Sequence, residues 1–191
     1  LIVPKLRDPA EVARVVRLKD FGGDLLLRDV QERVLKVLEM AEALSPKYHV
    51  VVANPPYAGI KGLNPSLASW LECSFEESCS DLMTAFMDRC RLLNVPSGTW
   101  GMINLPSWMF LSSYKELRAR LLTKQTVHSL IHLGRGVFGA DFGAVAFVVN
   151  NRLAGYDTKF LARRLFEKFS IVRTNSEIEE LFRDQSYGTH R

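Results

Sequence analysis

Apolar positions along the chain change their spacing from helical to extended and back again. Residues 9–19 and 28–44 have helical spacing, and the second segment carries an apolar stripe formed by Val30, Val34, Leu35, Leu38 and Ala41. Ser45-Pro46 ends this helix, because the residue before a proline is pushed out of the α region. His49 to Ala53 then forms a short apolar run rich in β-branched residues, which predicts a strand buried on both faces.

The rest of the chain continues this alternation of amphipathic helices and short apolar runs. Helical spacing predicts helices over 81–93, 112–122 and 176–183. Apolar runs predict strands over 99–105, 126–133 and 144–150 and near 158–162. Residues 57–78 are expected to form a long loop with room for a short helix, and residues 95–98 a turn. The alternation predicts an α/β fold with a mostly parallel sheet covered by helices.

Length and composition limit the classes of protein to which the chain can belong. With 191 residues, 47% of them hydrophobic and 24% charged, the chain has the profile of a globular domain, which excludes disordered and collagenous classes. No run reaches the ~18 apolar residues of a membrane-spanning helix, so we expect no membrane partner. The three cysteines have no metal-ligand spacing, and their odd number indicates a reducing compartment, the cytoplasm.

The net charge of +4 is unevenly distributed between the two halves of the chain. Residues 1–95 carry 12 Lys and Arg against 13 Asp and Glu, whereas residues 96–191 carry 13 against 8. A basic half can face a polyanion such as nucleic acid, because Lys and Arg replace the counterions of phosphates. A solvated surface of mixed sign gives the same pattern, so charge by itself leaves both interpretations open.

The segment Asn54-Pro55-Pro56-Tyr57 directly follows the strand predicted over His49–Ala53. Asn-Pro and Pro-Pro are common in turns, but the carboxyl end of a strand is where open α/β sheets bind their ligands. The side-chain oxygen of Asn54 and the backbone carbonyl of Pro55 can accept the two hydrogens of an exocyclic amine. They would stabilise the positive charge that develops when that amine is methylated. Prolines stiffen the turn and add no N–H, and Tyr57 can stack on a base rotated out of a duplex. This chemistry requires no metal.

This segment resembles motif IV of the amino-methyltransferases that modify adenine N6 in DNA. Later segments are similar to further motifs of that family in the same order: Asp81–Phe86 to motif V, Gly101–Trp108 to motif VI, and Leu133-Gly134 with Phe138 and 144–149 to motifs VII and VIII. The strings NPPYAGIKGLNP and MINLPSWMFLSSYKELR are most similar to the large adenine methyltransferases of BREX phage-defence systems, the PglX type. The resemblance covers roughly residues 30–150.

The resemblance implies a Rossmann-like methyltransferase that transfers a methyl group from S-adenosylmethionine to adenine N6 in double-stranded DNA, with the target adenine flipped out. It implies a role in phage defence or restriction-modification in the bacterial cytoplasm, with other defence-system subunits as candidate partners. Asn54 and Phe86 would contact the cofactor, the latter because the motif V aromatic packs against its adenine. Tyr57 and a second aromatic residue, Phe138 or alternatively Phe142, are the candidates for stacking on the target base; the other interpretation is that both phenylalanines are core residues under a loop.

The sequence also departs from the family. The glycine-rich cofactor turn should precede Asn54, but the only candidate is Asp20–Asp24, which no strand precedes and which therefore predicts an interhelix turn. We accordingly expect the later half of a seven-stranded methyltransferase sheet, truncated before the glycine-rich motif, and little activity from the isolated chain. Its expected parts are a helical lead-in (1–48), a methyltransferase core with motifs IV to VIII (49–151) and a C-terminal strand/helix extension (152–191).

Several alternatives stay open. A non-catalytic DNA-binding or assembly module would keep the same fold, and methylation of RNA or of a protein glutamine uses similar Asn-Pro-Pro-Tyr chemistry. Gly134–Gly139 spells G-x-G-x-x-G, but it leads into a strand, so a loop at the rim of the site is expected rather than a dinucleotide turn. The remaining candidates are assigned structural or solvated roles: His49, His128 and His132 as structural, Trp108 and Phe110 as core or cofactor-pocket wall, and Lys61 as solvated or near a phosphate.

Overall fold

The structure is a computed structural model that describes residues 8–190, without the side chain of His190. The chain forms two compact units, Leu1–Lys47 and Tyr48–Arg191. No helix in the described part of the chain is long and apolar enough to cross a membrane.

The first unit is a pair of helices, α1 (Pro9–Arg17) and α2 (Leu25–Ala43). Asp24 caps α2 by accepting the N–H groups of Leu26 and Leu27. Gly22 and Gly23 have positive φ, which glycine adopts readily, and they turn the chain between the helices as predicted for 20–24. Of the predicted apolar stripe, Leu35, Leu38 and Ala41 are half-buried whereas Val30 and Val34 are exposed.

The second unit is a six-stranded sheet with helices. Its strands are β1 (Tyr48–Ala53), β2 (Asn94–Asn104), β3 (Thr126–Arg135), β4 (Gly143–Asn150), β5 (Leu161–Arg164) and β6 (Thr189–His190). Its helices are α3 (Pro65–Ser74), α4 (Leu82–Leu93), α5 (Lys115–Lys124) and α6 (Asn175–Arg183). The strand order across the sheet is β1-β2-β4-β3-β5-β6.

The sheet is mixed rather than mostly parallel, which corrects the sequence-based expectation. β1 pairs parallel with β2, and β3 with β5, but β4 runs antiparallel to both of its neighbours and β6 antiparallel to β5. The short link between β3 and β4 explains this, because a parallel crossover needs about a dozen residues or more, usually a helix. As a result the carboxyl ends of β1, β2 and β3 share one edge of the sheet with the start of β4.

β1 is not buried on both faces, contrary to the sequence-based prediction. Val51 and Ala53 pack against the core, but Val50 and Val52 are 64% and 78% exposed. β1 lies at one end of the strand order, and no other strand in residues 8–190 pairs with its outer edge. Alternate residues of a strand point to opposite faces, so only the face towards α4 is covered.

The core has two parts, one on each face of the central strand β4. On one face α4 and α5 cover Trp100, Met102, Val145, Phe147 and Val149 with Met83, Met87, Cys90, Leu117 and Leu121. On the other face Ala144 packs with Leu133, Val137, Leu165 and Ile178. Burial on both faces makes β4 the most enclosed strand of this sheet.

Two local predictions are also corrected. Residues 65–74 form a helix of 10 residues, α3, which occupies nearly half of the segment expected to be a long loop with room for a short helix. Asn64 caps it through the N–H of Leu67, and Pro65 occupies its first turn. β2 begins at Asn94, so the expected turn at 95–98 lies within an irregular start of that strand. The pairing with β1 shifts there from Tyr48–Asn94 to Val50–Thr99.

Candidate active site

Asp81 fixes the segment that follows β1. One oxygen of this buried carboxylate, Oδ1, accepts the N–H of Ala58 at 3.2 Å and the N–H of Met83 at 2.9 Å, which caps α4. The Leu82 N–H donates in turn to the Ala58 carbonyl at 2.9 Å. The loop that carries Asn54–Tyr57 is therefore tied to the N-terminus of α4.

Within this loop the side chains of Asn54 and Tyr57 meet. The Tyr57 hydroxyl donates a long hydrogen bond of 3.4 Å to Oδ1 of Asn54. Burial raises the pKa of Tyr57 above its usual value, so its hydroxyl remains protonated at neutral pH. Pro55 is buried, whereas Asn54 and Pro56 are exposed. The loop thus offers hydrogen-bond acceptors at a solvent-accessible position.

A pocket of ≈ 260 Å³ opens beside the loop. Two segments far apart in sequence line it: the four residues Asn54–Tyr57, and the β3–β4 connection with Val137, Phe138, Ala140 and Phe142. Ile103 of β2 and Ala144 of β4 complete the lining. These residues meet because their strands end or begin at the same edge of the sheet.

Phe142 is the phenylalanine that contacts Tyr57. The two ring centroids are 5.7 Å apart and the ring planes are inclined at 84°, an edge-to-face arrangement. This contact places Phe142 next to the Asn54–Tyr57 loop. The sequence offered it only as an alternative to Phe138.

Phe138 lines the same pocket on a strained backbone. Its φ and ψ are 56° and 25°, a left-handed conformation that non-glycine residues rarely adopt. Its ring is 73% exposed, and its N–H donates to Oδ1 of Asn175 at 2.9 Å. Strain of this kind is often stored at functional sites when surrounding contacts hold it.

Residues 173–175 hold the β3–β4 connection in place. Gly136 has a φ of 103°, and a Cβ atom there would lie 1.7 Å from the carbonyl oxygen of Arg173, so only glycine fits. The role of Asn175 was not predicted from the sequence. The one available signal was Thr174-x-x-Glu177, a capping box that marks the start of α6 but not the contact of Asn175.

Phe86 and Lys61 lie outside this pocket. Phe86 is partly exposed on α4, a helix whose Met83, Ala85 and Met87 are buried. Lys61 is exposed in the short turn Ile60–Gly62. The structure therefore brings together Asn54, Pro55, Pro56, Tyr57 and Phe138, but it does not place Phe86 in the same pocket lining.

The remaining candidates have different surroundings. The Trp108 indole is buried and donates to Oδ1 of Asn104 at 2.9 Å, as expected for a core residue. Phe110 is 68% exposed and is therefore not a core residue, so that its other predicted role, in the cofactor-pocket wall, stays a prediction. His49 and His128 are exposed, and His132 is half-buried. Within residues 8–190, no three His, Cys, Asp or Glu side chains form a group that could hold a metal ion.

Comparison with known proteins assigns the chain to a family. The family model of the Eco57I restriction-modification methylase matches residues 22–138. The chain belongs to this family. The match includes the Asn54–Tyr57 loop, Phe86 and Phe138, and it ends before Phe142.

Two curated relatives support the same assignment. The adenine-specific methyltransferase BrxX of Escherichia coli O9:H4 (strain HS) is 37% identical over 138 residues, which is 70% of this chain and 12% of that protein. The adenine-specific methyltransferase PglX of Lacticaseibacillus casei (strain Zhang) is 35% identical over 131 residues, 66% of this chain and 11% of that protein. The resemblance to BREX methyltransferases is thereby confirmed. The chain spans about an eighth or less of the length of these relatives.

Solved structures share the fold. The cryoEM structure of a DrdV–DNA complex matches with a TM-score of 0.60 at 12% identity, covering 82% of this chain and 18% of that chain. A type I restriction-modification methyltransferase subunit from Streptococcus thermophilus matches with a TM-score of 0.51 at 15% identity, covering 73% and 31%. The predicted α/β methyltransferase fold class is therefore confirmed.

Proposed function

We propose that this chain carries the target-base side of an active site that methylates adenine N6 in DNA. The observation that carries this proposal is the single pocket shared by Asn54–Tyr57 at the end of β1 and two phenylalanines of the β3–β4 connection. The relatives named adenine-specific methyltransferases support adenine as the target.

Asn54 and Pro55 would activate the amine. The Oδ1 atom of Asn54 has two lone pairs, so it can keep the long hydrogen bond from Tyr57 and still accept a hydrogen from the target N6. The Pro55 carbonyl would accept the second hydrogen, and proline contributes no N–H that could compete. Two fixed acceptors stabilise the positive charge that grows on the nitrogen during methylation.

Tyr57 and Phe138 would hold the flipped adenine between them. An unstacked base gains stability on aromatic side chains, which replace the neighbours it leaves in the duplex. Phe142 packs edge-to-face on Tyr57 and would fix the inclination of that ring. Tyr57 is the one titratable side chain in the described lining, and its raised pKa keeps it neutral, so the pocket holds acceptors rather than a strong base.

The described residues fit only part of the methyl donor, S-adenosylmethionine. The partly exposed ring of Phe86 is an apolar surface suited to the cofactor's adenine, and Asn54 would lie near the methyl group. In residues 8–190, no glycine-rich turn follows a strand and opens an α-helix, the feature that would bind the methionine carboxylate. Gly134–Gly139 begins at the end of β3, but it leads through one 3-10 turn into β4. When bound, S-adenosylmethionine supplies an electrophilic methyl group.

The proposed substrate is double-stranded DNA, and the proposed role is phage defence or restriction-modification. The family, a restriction-modification methylase, and the relatives, which are named adenine-specific methyltransferases, support both proposals. Other subunits of the same defence system are the proposed protein partners, and the bacterial cytoplasm, where the DNA lies, is the proposed location.

Asn54→Ala tests the proposed role of the amine acceptor. The assay measures transfer of a tritiated methyl group to genomic DNA by the full gene product that carries this sequence. We expect the rate to fall about 100-fold or more, the usual cost of losing one preorganised charge-stabilising group. Asn64→Ala, which removes the cap of α3 away from the pocket, is the matched control and should retain most of the rate. Equal rates for wild type and Asn54→Ala would overturn the assignment.

Calorimetric titration with S-adenosylmethionine separates this proposal from a non-catalytic DNA-binding or assembly module. The full gene product should release heat on binding the cofactor, and Phe86→Ala should bind it more weakly. If the protein shows no heat of S-adenosylmethionine binding but still binds DNA, the result favours the non-catalytic alternative.

A further inference from the structure

A second cleft of ≈ 740 Å³ lies next to the pocket described above, at the same edge of the sheet. We call it the aromatic cleft; its ring-bearing and cationic lining residues are Phe110, His132, Phe142, Arg164, Phe166 and Phe169. Phe142 lines both spaces, so they share a wall. The volume lies within the range of about 300–1,000 Å³ that is typical of ligand sites.

Three rings of the aromatic cleft form a cluster. The centroid of His132 lies 4.7 Å from that of Phe166 and 5.6 Å from that of Phe169, and Phe166 and Phe169 are 5.5 Å apart. Phe166 is buried, but Phe169 is 45% exposed and Phe110 more so. Packed rings that remain accessible to solvent mark an interaction surface.

The charge of the aromatic cleft is positive. The guanidinium carbon of Arg164 lies 5.7 Å from the Phe166 centroid, and within residues 8–190 Arg164 forms no ion pair with an acidic side chain. Burial and the nearby Arg164 lower the pKa of His132, which outweighs the effect of its hydrogen bond with the Ala144 backbone. His132 is therefore neutral at pH 7 and contributes a ring rather than a charge.

We propose that the aromatic cleft binds an unstacked nucleobase adjacent to the target adenine on the same DNA strand, with Phe110 and Phe169 stacking on the base and Arg164 contacting a phosphate. This inference rests on the proposed function. The shared Phe142 wall places the occupant of the aromatic cleft beside the target base, as covalent neighbours in one strand must be. Aromatic faces bind any base, and a guanidinium pairs well with phosphate oxygens.

Binding of a single-stranded thymidine oligonucleotide with one central adenine tests the stacking residues. Affinity is measured by fluorescence anisotropy with the full gene product. We expect Phe110→Ala and Phe169→Ala each to weaken binding about 5- to 150-fold, the range for loss of one base–aromatic stack. Phe160→Ala is the matched control, since Phe160 is about as exposed as Phe169 and lies outside the aromatic cleft. Because Phe110 is largely exposed, its substitution tests the proposal even if Phe169→Ala does not fold.

The salt dependence of the same binding tests Arg164. Each phosphate contact to a single strand adds about 0.7 to the slope of log affinity against log salt, so Arg164→Gln should reduce the slope by about that amount. Arg152→Gln is the control, because Arg152 follows the carboxyl end of β4 at the opposite edge of the sheet. An unchanged slope in Arg164→Gln would remove the phosphate contact from the proposal.

Photo-crosslinking locates the base itself. With iodouracil next to the adenine, we expect crosslinks to peptides that contain Phe110 or Phe166–Phe169. If Phe110→Ala and Phe169→Ala bind normally and crosslinks map elsewhere, the proposal for the aromatic cleft is wrong while methyl transfer is unaffected. If crosslinks occur in the aromatic cleft but the full gene product transfers no methyl group to DNA, the proposed function fails instead, so the two failures are distinguishable.

Discussion

Two side chains outside the Asn54–Tyr57 loop bind the backbone of the candidate active site. Asp81 accepts the N–H of Ala58, directly after the loop, and Asn175 accepts the N–H of the strained Phe138. Neither side chain lines the pocket, so both are positioning residues. Each lies at the start of a helix, where side-chain acceptors commonly bind backbone N–H groups.

Asn175→Ala should reduce kcat/KM for DNA methylation about 5-fold, because one hydrogen bond of about 1 kcal/mol no longer holds Phe138 in its left-handed conformation. Steady-state kinetics measure the effect, and it should appear mainly in KM for DNA. Ser176→Ala, an exposed neighbour on α6, is the control and should behave as wild type. Identical kinetics for the two variants would contradict the positioning role.

Asp81→Ala should lower the free energy of unfolding by about 2 kcal/mol, since it removes a helix cap and a second, partly buried hydrogen bond to the N–H of Ala58. Urea unfolding measures this change. Asp157→Ala, at an exposed position, should have an effect close to zero. If the two variants unfold at the same urea concentration, the hydrogen bonds of Asp81 do not stabilise the loop that carries Asn54–Tyr57.

At the scale of elements, Asp88 of α4 joins two helices beneath the sheet. This buried carboxylate accepts Ser78 Oγ at 2.5 Å and pairs with Arg120 of α5 at 2.6 Å and with Arg91 at 3.4 Å. Arg120 also pairs with Glu77. A buried charge with this many partners is costly to leave unpaired, so the ion pairs fix how α4 and α5 pack.

Asp88→Ala should destabilise the fold by about 2–3 kcal/mol, because Ser78, Arg91 and Arg120 would each lose a charged partner, although Arg120 keeps its pair with Glu77. The surface pair between Asp141 and Arg135 provides the comparison, and Asp141→Ala should cost about 1 kcal/mol at most. Chemical denaturation of both variants gives the difference. Equal destabilisation would show that the burial of Asp88 has no energetic consequence.

Cys90 of α4 should resist alkylation in the folded protein. Burial raises the pKa of its thiol to about 11, so the reactive thiolate is scarce at neutral pH. Iodoacetamide should modify the exposed Cys73 first, and mass spectrometry detects which cysteine is modified.

The raised pKa of Cys90 also predicts how stability depends on pH. Because the folded pKa lies above the unfolded value of about 9, the free energy of unfolding should decline as pH rises from about 9 to about 11, and Cys90→Ala should lessen that decline.

At the scale of the whole molecule, the two candidate binding spaces lie at the ends of the strands, whereas the exposed side of the sheet is the outer strand β1. The pocket and the aromatic cleft both lie at the side of the sheet where β1, β2 and β3 end and β4 begins. β1 presents Val50 and Val52 beside backbone groups that pair with no other strand in residues 8–190. Unpaired edges of this kind favour association with other chains.

The 191-residue chain should therefore self-associate as its concentration rises, and Val52→Lys should reduce that association, because a charge on an edge strand opposes pairing. Sedimentation velocity measures the effect. Leu153→Lys, at another exposed apolar position beyond β4, is the control and should associate like wild type. Equal association of the three proteins would mean that β1 is not the contact.

The sequence by itself determined the local features of this protein. The strand before Asn54, the helices other than α3, the glycine turn at Gly22–Gly23 and the family all follow from short-range patterns, because periodicity, caps and turn residues act over a few positions. The Asn54–Tyr57 motif was recognisable for the same reason. Its neighbours in space were only partly predicted: Phe138 and Phe142 were candidates, but the contact of Phe142 with Tyr57 and the role of Asn175 join residues that lie tens of positions apart along the chain.

Only the tertiary structure decided which face of each element is buried and in which direction each strand runs. Whether Val50 and Val52 are buried depends on what covers β1, and the direction of β4 depends on the short link that returns it against β3. The contact of Phe142 with Tyr57 and the cluster of His132, Phe166 and Phe169 also arise from strand order. Spacing in the sequence predicts which face of its own helix or strand a residue occupies. The residues that it contacts on other elements depend on long-range packing.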